Sequence, residues 1–128
     1  MTAVAAGRRA ARGGASQRSG VAAEAAAEAA LVQDGWLILA RRLRTAAGEI
    51  DLVADRAGLL AFIEVKRRLT LAGAAVALGA RQQARLMAAA EIVLAEHPDW
   101  GSAGVRFDVL LVDVAGQVRR IADAFRAG

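Results

Sequence analysis

The chain has no cysteine, one proline and one histidine in 128 residues. Without cysteine there is no disulfide scaffold, no thiol nucleophile and no thiolate-held zinc or iron–sulfur centre. His97, beside Pro98, is too little for a His-based metal cluster or a catalytic triad. No run of eighteen apolar residues is present to span a bilayer. The first twenty residues also lack the apolar stretch of a secretory signal. These absences lead us to expect a cytoplasmic protein without a membrane partner. Lysine is nearly missing as well: of 17 basic residues, Lys66 alone is not arginine. A compact ammonium and a guanidinium fork differ in chemistry, so this one lysine invites a functional question.

What remains suits one small domain. Apolar residues make up 56%, and the many alanines among them fill helices more than they build a core. The net charge of +4 is unevenly spread. Arg8, Arg9, Arg12 and Arg18 lie in a start that holds no acid, whereas basic and acidic residues balance from Val21 onward. Residues 1–19, rich in Ala, Gly, Ser and Arg, read as a disordered basic tail that attracts phosphates without specificity or simply aids solubility. Residues 20–128 read as a single domain.

Within it, the Ala-rich segment 21–34 reads as a helix stopped by Gly35. Residues 36–44 follow as a strand. Residues 49–54 alternate, which puts Glu49, Asp51 and Val53 on one side and Ile50, Leu52 and Ala54 on the other. A turn at 55–58 leads into a strand over 59–67, where Leu60, Phe62, Glu64 and Lys66 share a side. A second helix is expected to start near Gly73 or Val76 and to run to Glu96, with Val76, Ala80, Gln83, Met87, Ala90 and Leu94 as its apolar stripe, widened by Leu86 and Val93. Strands over 105–113 and 118–122 complete the order helix–strand–strand–strand–helix–strand–strand. That order implies an α/β fold, a mixed sheet with helices packed on it.

The hairpin carries the chemistry. With Ala54 opposite Leu59, Glu49 faces Glu64 and Asp51 lies diagonal to Glu64 on the same sheet face. A different turn changes this register, and a two-residue slip preserves the side that each residue faces. Facing carboxylates repel unless a cation sits between them. Asp and Glu oxygens suit Mg²⁺ or Mn²⁺, which keep waters and so leave room for a phosphate oxygen and an attacking water. Lys66 could orient or deprotonate that water, or meet charge on the phosphoryl group. Glu-x-Lys is also ordinary on an exposed hairpin face, but Leu60 and Phe62 share this side, as at the edge of a cleft. Arg106 and Asp108 read as an internal ion pair, Trp36, Phe62, Phe107 and Phe125 as core, and Trp100 as a loop residue open to exposure.

Three stretches, GEIDLVADRAGLLAFIEVKRR (48–68), VRFDVLLV (105–112) and, more weakly, GVAAEAAAEAALVQDGWLILARRLR (20–44), resemble the YraN-like family of small bacterial proteins. That family is similar to the restriction-endonuclease-like superfamily, whose nucleases carry a PD-(D/E)xK site. The resemblance implies a restriction-endonuclease-like core, with Asp51 and Glu64 as metal-binding acids and Lys66 as the motif lysine. Glu24 matches a helix carboxylate that joins the metal site in related nucleases, and Glu49 is an assisting acid. Ile50 stands where the superfamily has Pro, Ala23 where the family usually has Gly, and Arg41-Arg42 where it often has Arg-Asn. A basic residue common in the second helix falls near Arg81 or Gln82, with Arg85 a turn away.

The implied function is Mg²⁺-dependent (or Mn²⁺-dependent) hydrolysis of DNA phosphodiesters, with DNA preferred over RNA and branched or damaged DNA as the substrate class. Arg41, Arg42, Arg44, Arg67, Arg68, Arg81 and Arg85 are the expected nucleic-acid contacts, and a homodimer would enlarge the small surface offered to a duplex. The alternative is a non-catalytic binding or structural accessory that keeps the nuclease fold.

Overall fold

The computed structural model describes residues 15–71 and 78–125. The elements are helix α1 (Ala15–Gln33), strands β1 (Leu37–Thr45), β2 (Gly48–Arg56) and β3 (Leu59–Arg67), helix α2 (Ala80–Glu96), and strands β4 (Gly104–Val112) and β5 (Val118–Phe125). The five strands form one sheet in the order β1-β2-β3-β4-β5. All neighbours are antiparallel except β3 and β4, which run parallel and therefore need the crossover that α2 supplies. This is an α/β fold with a restriction-endonuclease-like core.

The two sheet faces are buried by different helices. On one, Leu86, Ala89, Ala90 and Val93 of α2 cover Ile50, Val53, Leu60, Phe62, Phe107, Val109 and Leu111. On the other, Ala23, Ala27 and Leu31, four residues apart along one stripe of α1, cover Leu52, Ala54, Ala61, Ile63, Leu110 and Val112. The small alanines let α1 approach the sheet closely, which brings the adjacent Glu24 and Glu28 within reach of β1. Helix α1 ends in a Schellman turn: Gly35 is left-handed (φ 89°), and the Trp36 and Gly35 amides donate to the carbonyls of Leu31 and Val32, both at 3.0 Å.

Several expectations need correction. Helix α1 begins at Ala15, so 15–19 belong to a helix rather than to the tail; the rest of the tail, 1–14, lies outside the described residues. Helix α2 begins at Ala80, because Leu78 and Gly79 are non-helical and Gly79 is an extended N-cap (φ −63°, ψ 155°). The expected start at Gly73 or Val76 falls outside the described residues. The buried stripe of α2 centres on Leu86 and Val93, with Met87 and Leu94 only partly buried and Ala80 exposed. The bulkier branched residues take the sheet. Trp100 is partly buried and stacks on His97 at 3.8 Å between ring centroids.

Two corrections bear on the hairpin. Its turn is the two-residue Ala57-Gly58, both with positive φ (53° and 87°), so β2 runs on to Arg56 and β3 starts opposite it at Leu59. Such a turn matches the twist of the flanking strands. Ala54 consequently pairs with Ala61 and Leu52 with Ile63, a two-residue slip from the expected register. The simple alternation of 49–54 also fails: Ile50 and Val53 are buried beneath α2, while Leu52 and Ala54 are buried beneath α1. The pleat therefore changes phase at Asp51.

In the middle of β4, Asp108 is the buried charged residue of the core among the described residues. Arg106 pairs with both of its oxygens (3.1 and 3.0 Å), and the Asp123 amide donates to it at 2.8 Å. Arg56, Arg106 and Arg120 stack around the buried Trp36 ring at 4.7–5.3 Å. Trp36, Phe62 and Phe107 are core residues, and Phe125 stacks on Phe107 at 4.9 Å between ring centroids, as expected of core aromatics.

Candidate active site

The ladder between β2 and β3 stops at Leu52–Ile63. Beyond that pair, β2 stays with β1 through Ile50, Glu49 and Gly48, while β3 stays with β4 through Arg67. The two strands thus fork, and continuing the register one step brings Asp51 level with Glu64. At the fork a β3 amide loses its ladder partner, and the Asp51 side chain replaces it: the Val65 N–H donates to Asp51 Oδ2 at 2.8 Å. This bond fixes the carboxylate at the mouth of the fork and leaves Oδ1 outside it.

Asp51 is the perturbed group of the site. Its carboxyl is pushed up to about 7 from an ordinary 3.8, first by burial and then by the charge of Glu64. The Val65 amide opposes the shift, whereas Glu24 and Glu49 add to it. Four acids therefore act on one small volume. Lys66 is the cation on the β3 side, with Nζ 3.2 Å from Glu64 Oε2 and both side chains only 22% exposed.

A second cation lies on the β1 side. Arg42 falls between the pairs Leu43–Ile50 and Arg41–Leu52, which sets it level with Asp51. Its backbone is left-handed (φ 48°), a conformation that costs a non-glycine residue about 1 kcal/mol. Consecutive strand residues ordinarily face opposite sides. Here both Arg41 and Arg42 reach α1. Arg41 donates to both Glu28 oxygens (2.6 and 2.5 Å), and Arg42 Nε lies 2.8 Å from Glu24 Oε1 with its own side chain 8% exposed.

Of the residues singled out from sequence, Asp51, Glu64 and Lys66 meet at the fork, and Glu24 and Glu49 lie within electrostatic reach of Asp51. The arginines divide. Arg41, Arg42 and Arg44 pair with Glu28, Glu24 and Glu49 respectively. Arg67 and Arg68 are exposed beyond Lys66 and line a small cleft of about 100 Å³ against α1. Arg81 and Arg85 are exposed on α2, and the stem of Arg85 crosses Gly48, where a Cβ would come within 2.9 Å of it. The sequence reading missed the ion pair of Arg42 with Glu24. The signal lay in the Arg-Asn pair of the resembled family, since Asn is a residue that tolerates left-handed backbone.

Hard oxygen donors are the right chemistry for Mg²⁺ or Mn²⁺. Among the described residues, no group of three or more His, Asp and Glu side chains is arranged to hold a metal ion. At the fork, Asp51 and Glu64 are the pair of carboxylates that would hold a cation. One or two carboxylates completed by water is the usual protein complement of Mg²⁺, so the residues fit. Among the described residues, no helix is long and apolar enough to cross a membrane.

Comparison with known proteins agrees with the resemblance in the hairpin. A family model described as "Uncharacterised protein family UPF0102" matches residues 23–112, which contain Glu24, Glu49, Asp51, Glu64 and Lys66. A UPF0102 protein of Granulibacter bethesdensis is 64% identical over 115 residues, covering 90% of this chain and 73% of the relative. One from Acidiphilium cryptum is 55% identical over 93 residues (73% and 72%), and one from Azorhizobium caulinodans 50% over 106 residues (83% and 81%). The chain belongs to the UPF0102, or YraN-like, family.

Proposed function

We propose that this chain is a metal-dependent nuclease that hydrolyses phosphodiester bonds, in DNA rather than RNA, at branched or damaged sites. The observation that carries the reading is the fork itself: a carboxylate pinned by the Val65 amide, raised by its acidic neighbours, beside an ion-paired lysine. A desolvated carboxyl raised by neighbouring acids is the electrostatic setting that a divalent cation relieves.

Asp51 and Glu64 would hold Mg²⁺ or Mn²⁺, which supplies Lewis-acid polarisation of the phosphate and lowers the pKa of a bound water. Lys66, held by Glu64, donates to the attacking water or to a phosphoryl oxygen as charge grows there. The water oxygen bonds to phosphorus, the bond to the leaving sugar oxygen breaks, and that oxygen takes up a proton. The products are a phosphomonoester and a free hydroxyl. Exposed Arg67, Arg68, Arg81 and Arg85 flank the fork from the β3 end and from α2, and would steer the phosphate backbone. Pairing of two chains would lengthen that track, and a cytoplasmic setting follows from the same reading.

A second reading, a non-catalytic accessory that keeps the fold, draws on the internal pairing of Lys66 and Arg42 with acids. Cleavage assays on duplex, single-stranded and branched DNA and on RNA, with Mg²⁺, Mn²⁺ or EDTA, separate the two. The nuclease reading expects metal-dependent cleavage that falls at least about a hundredfold in both Asp51→Asn and Lys66→Ala while folding is retained. Equal cleavage by wild type and both variants would mark a contaminant and reject the site.

A further inference from the structure

We infer that Arg42 is an internal counter-ion that withholds Glu24 from the metal and thereby sets the metal affinity of the site. The inference rests on the metal-site reading above and concerns which carboxylates take part in it. Three observations carry it. Arg42 stands level with Asp51 in the β1–β2 register, so the acid it pairs with, Glu24, is brought to the Asp51 end of the fork. Its oxygen is nevertheless taken by the Arg42 guanidinium at 2.8 Å, in a pair whose arginine side chain is 8% exposed. And no three acidic side chains among the described residues are arranged to hold a metal ion, although Asp51, Glu64 and Glu24 are all at hand.

The backbone says the same. Arg42 adopts a left-handed conformation inside a strand, at the position level with Asp51. Such a conformation persists where surrounding contacts over-determine it. The contact present is the one to Glu24, and the twist it requires is what aims Arg42 at α1 on the same side as Arg41. The guanidinium thus gives Glu24 a fixed positive partner in place of an exchangeable one. Arg42 is a positioning residue: it acts on the metal through Glu24.

Mg²⁺ and Mn²⁺ titration by calorimetry, without substrate, tests this in a double-mutant cycle. The variants are Arg42→Asn, Glu24→Gln and the two combined, and melting in EDTA checks that each folds. Asn suits the left-handed backbone, so Arg42→Asn keeps the strand while taking the guanidinium away from Glu24. The expected result is Mg²⁺ binding about tenfold tighter in Arg42→Asn. Glu24→Gln should change wild-type affinity by less than about threefold, yet undo most of the gain in the Arg42→Asn background. Binding by Arg42→Asn where wild type binds none supports the inference equally. Weaker or unchanged affinity in Arg42→Asn overturns it, as does a Glu24→Gln effect that is the same in both backgrounds. Should no variant bind either metal, the metal-site reading fails along with it; an additive cycle on a chain that does bind metal removes this inference alone.

Discussion

Asp51 concentrates the energetic tension of the molecule in one carboxylate. Its folded-state value of about 7 lies above the ordinary 3.8, so between about pH 4 and pH 7 the folded chain holds a proton that the unfolded chain has released. Stability of the metal-free protein therefore falls as pH rises through that window and levels off above it. The cost of carrying the charge above pH 7 is on the order of 4 kcal/mol. Asp51→Asn removes the charge but keeps an oxygen to accept the Val65 amide. In EDTA at pH 8, thermal melting should find this variant more stable than wild type by about 1–3 kcal/mol, and no more stable at pH 4. A variant less stable at pH 8 would mean that the carboxylate is not under the strain described. The identities of Asp51, Glu64 and Lys66 were legible in the sequence because chemistry-bearing side chains stand out against an apolar row. The tie between Arg42 and Glu24 was not, because it depends on one backbone angle that arginine does little to announce.

At the scale of elements, strands and helices were legible in kind and order, while their phase was not. The hairpin was visible from the turn signal at 55–58 and its apolar flanks, but a four-residue turn and the two-residue Ala57-Gly58 turn differ by two in register. The tighter one brings Asp51 level with Glu64 instead of diagonal to it. The phase change at Asp51 escaped because alternation in 49–54 presumes that one partner strand lines the whole segment. The fork gives β2 two partners along part of its length and one along the rest. Helix α2 contributes through Arg85, whose stem rests on Gly48, three residues before Asp51. Leu86 and Ile50, buried in one cluster, hold helix and strand in place. We expect Arg85→Ala to reduce the salt dependence of DNA binding by about one counter-ion, a change of about 0.9 in the logarithmic slope. Gly48→Ala should weaken binding by displacing the arginine, and combining the two should add little. Binding measured in EDTA across salt concentrations, in an Asp51→Asn background, checks this apart from cleavage. An unchanged slope in Arg85→Ala would remove α2 from the interface.

At the scale of the whole molecule, one sheet is buried on both faces by two helices, and the candidate site lies where that sheet splits. Charge follows the same plan. From Val21 onward the formal charges cancel, so affinity for a polyanion depends on where the arginines stand and not on their number. Arg41, Arg42 and Arg44 are paired with neighbouring acids, while Arg68, Arg81 and Arg85 stay exposed, Arg85 with its stem against Gly48 of β2. The central claim is that this fork is a place for a divalent cation, and the direct measurement is a Mn²⁺-soaked crystal with its anomalous difference map. The account predicts a peak at the mouth of the β2–β3 fork, about 2.1 Å from oxygens of both Asp51 and Glu64 and absent in Asp51→Asn. A map with no peak there, or with Mn²⁺ bound only elsewhere, would contradict it.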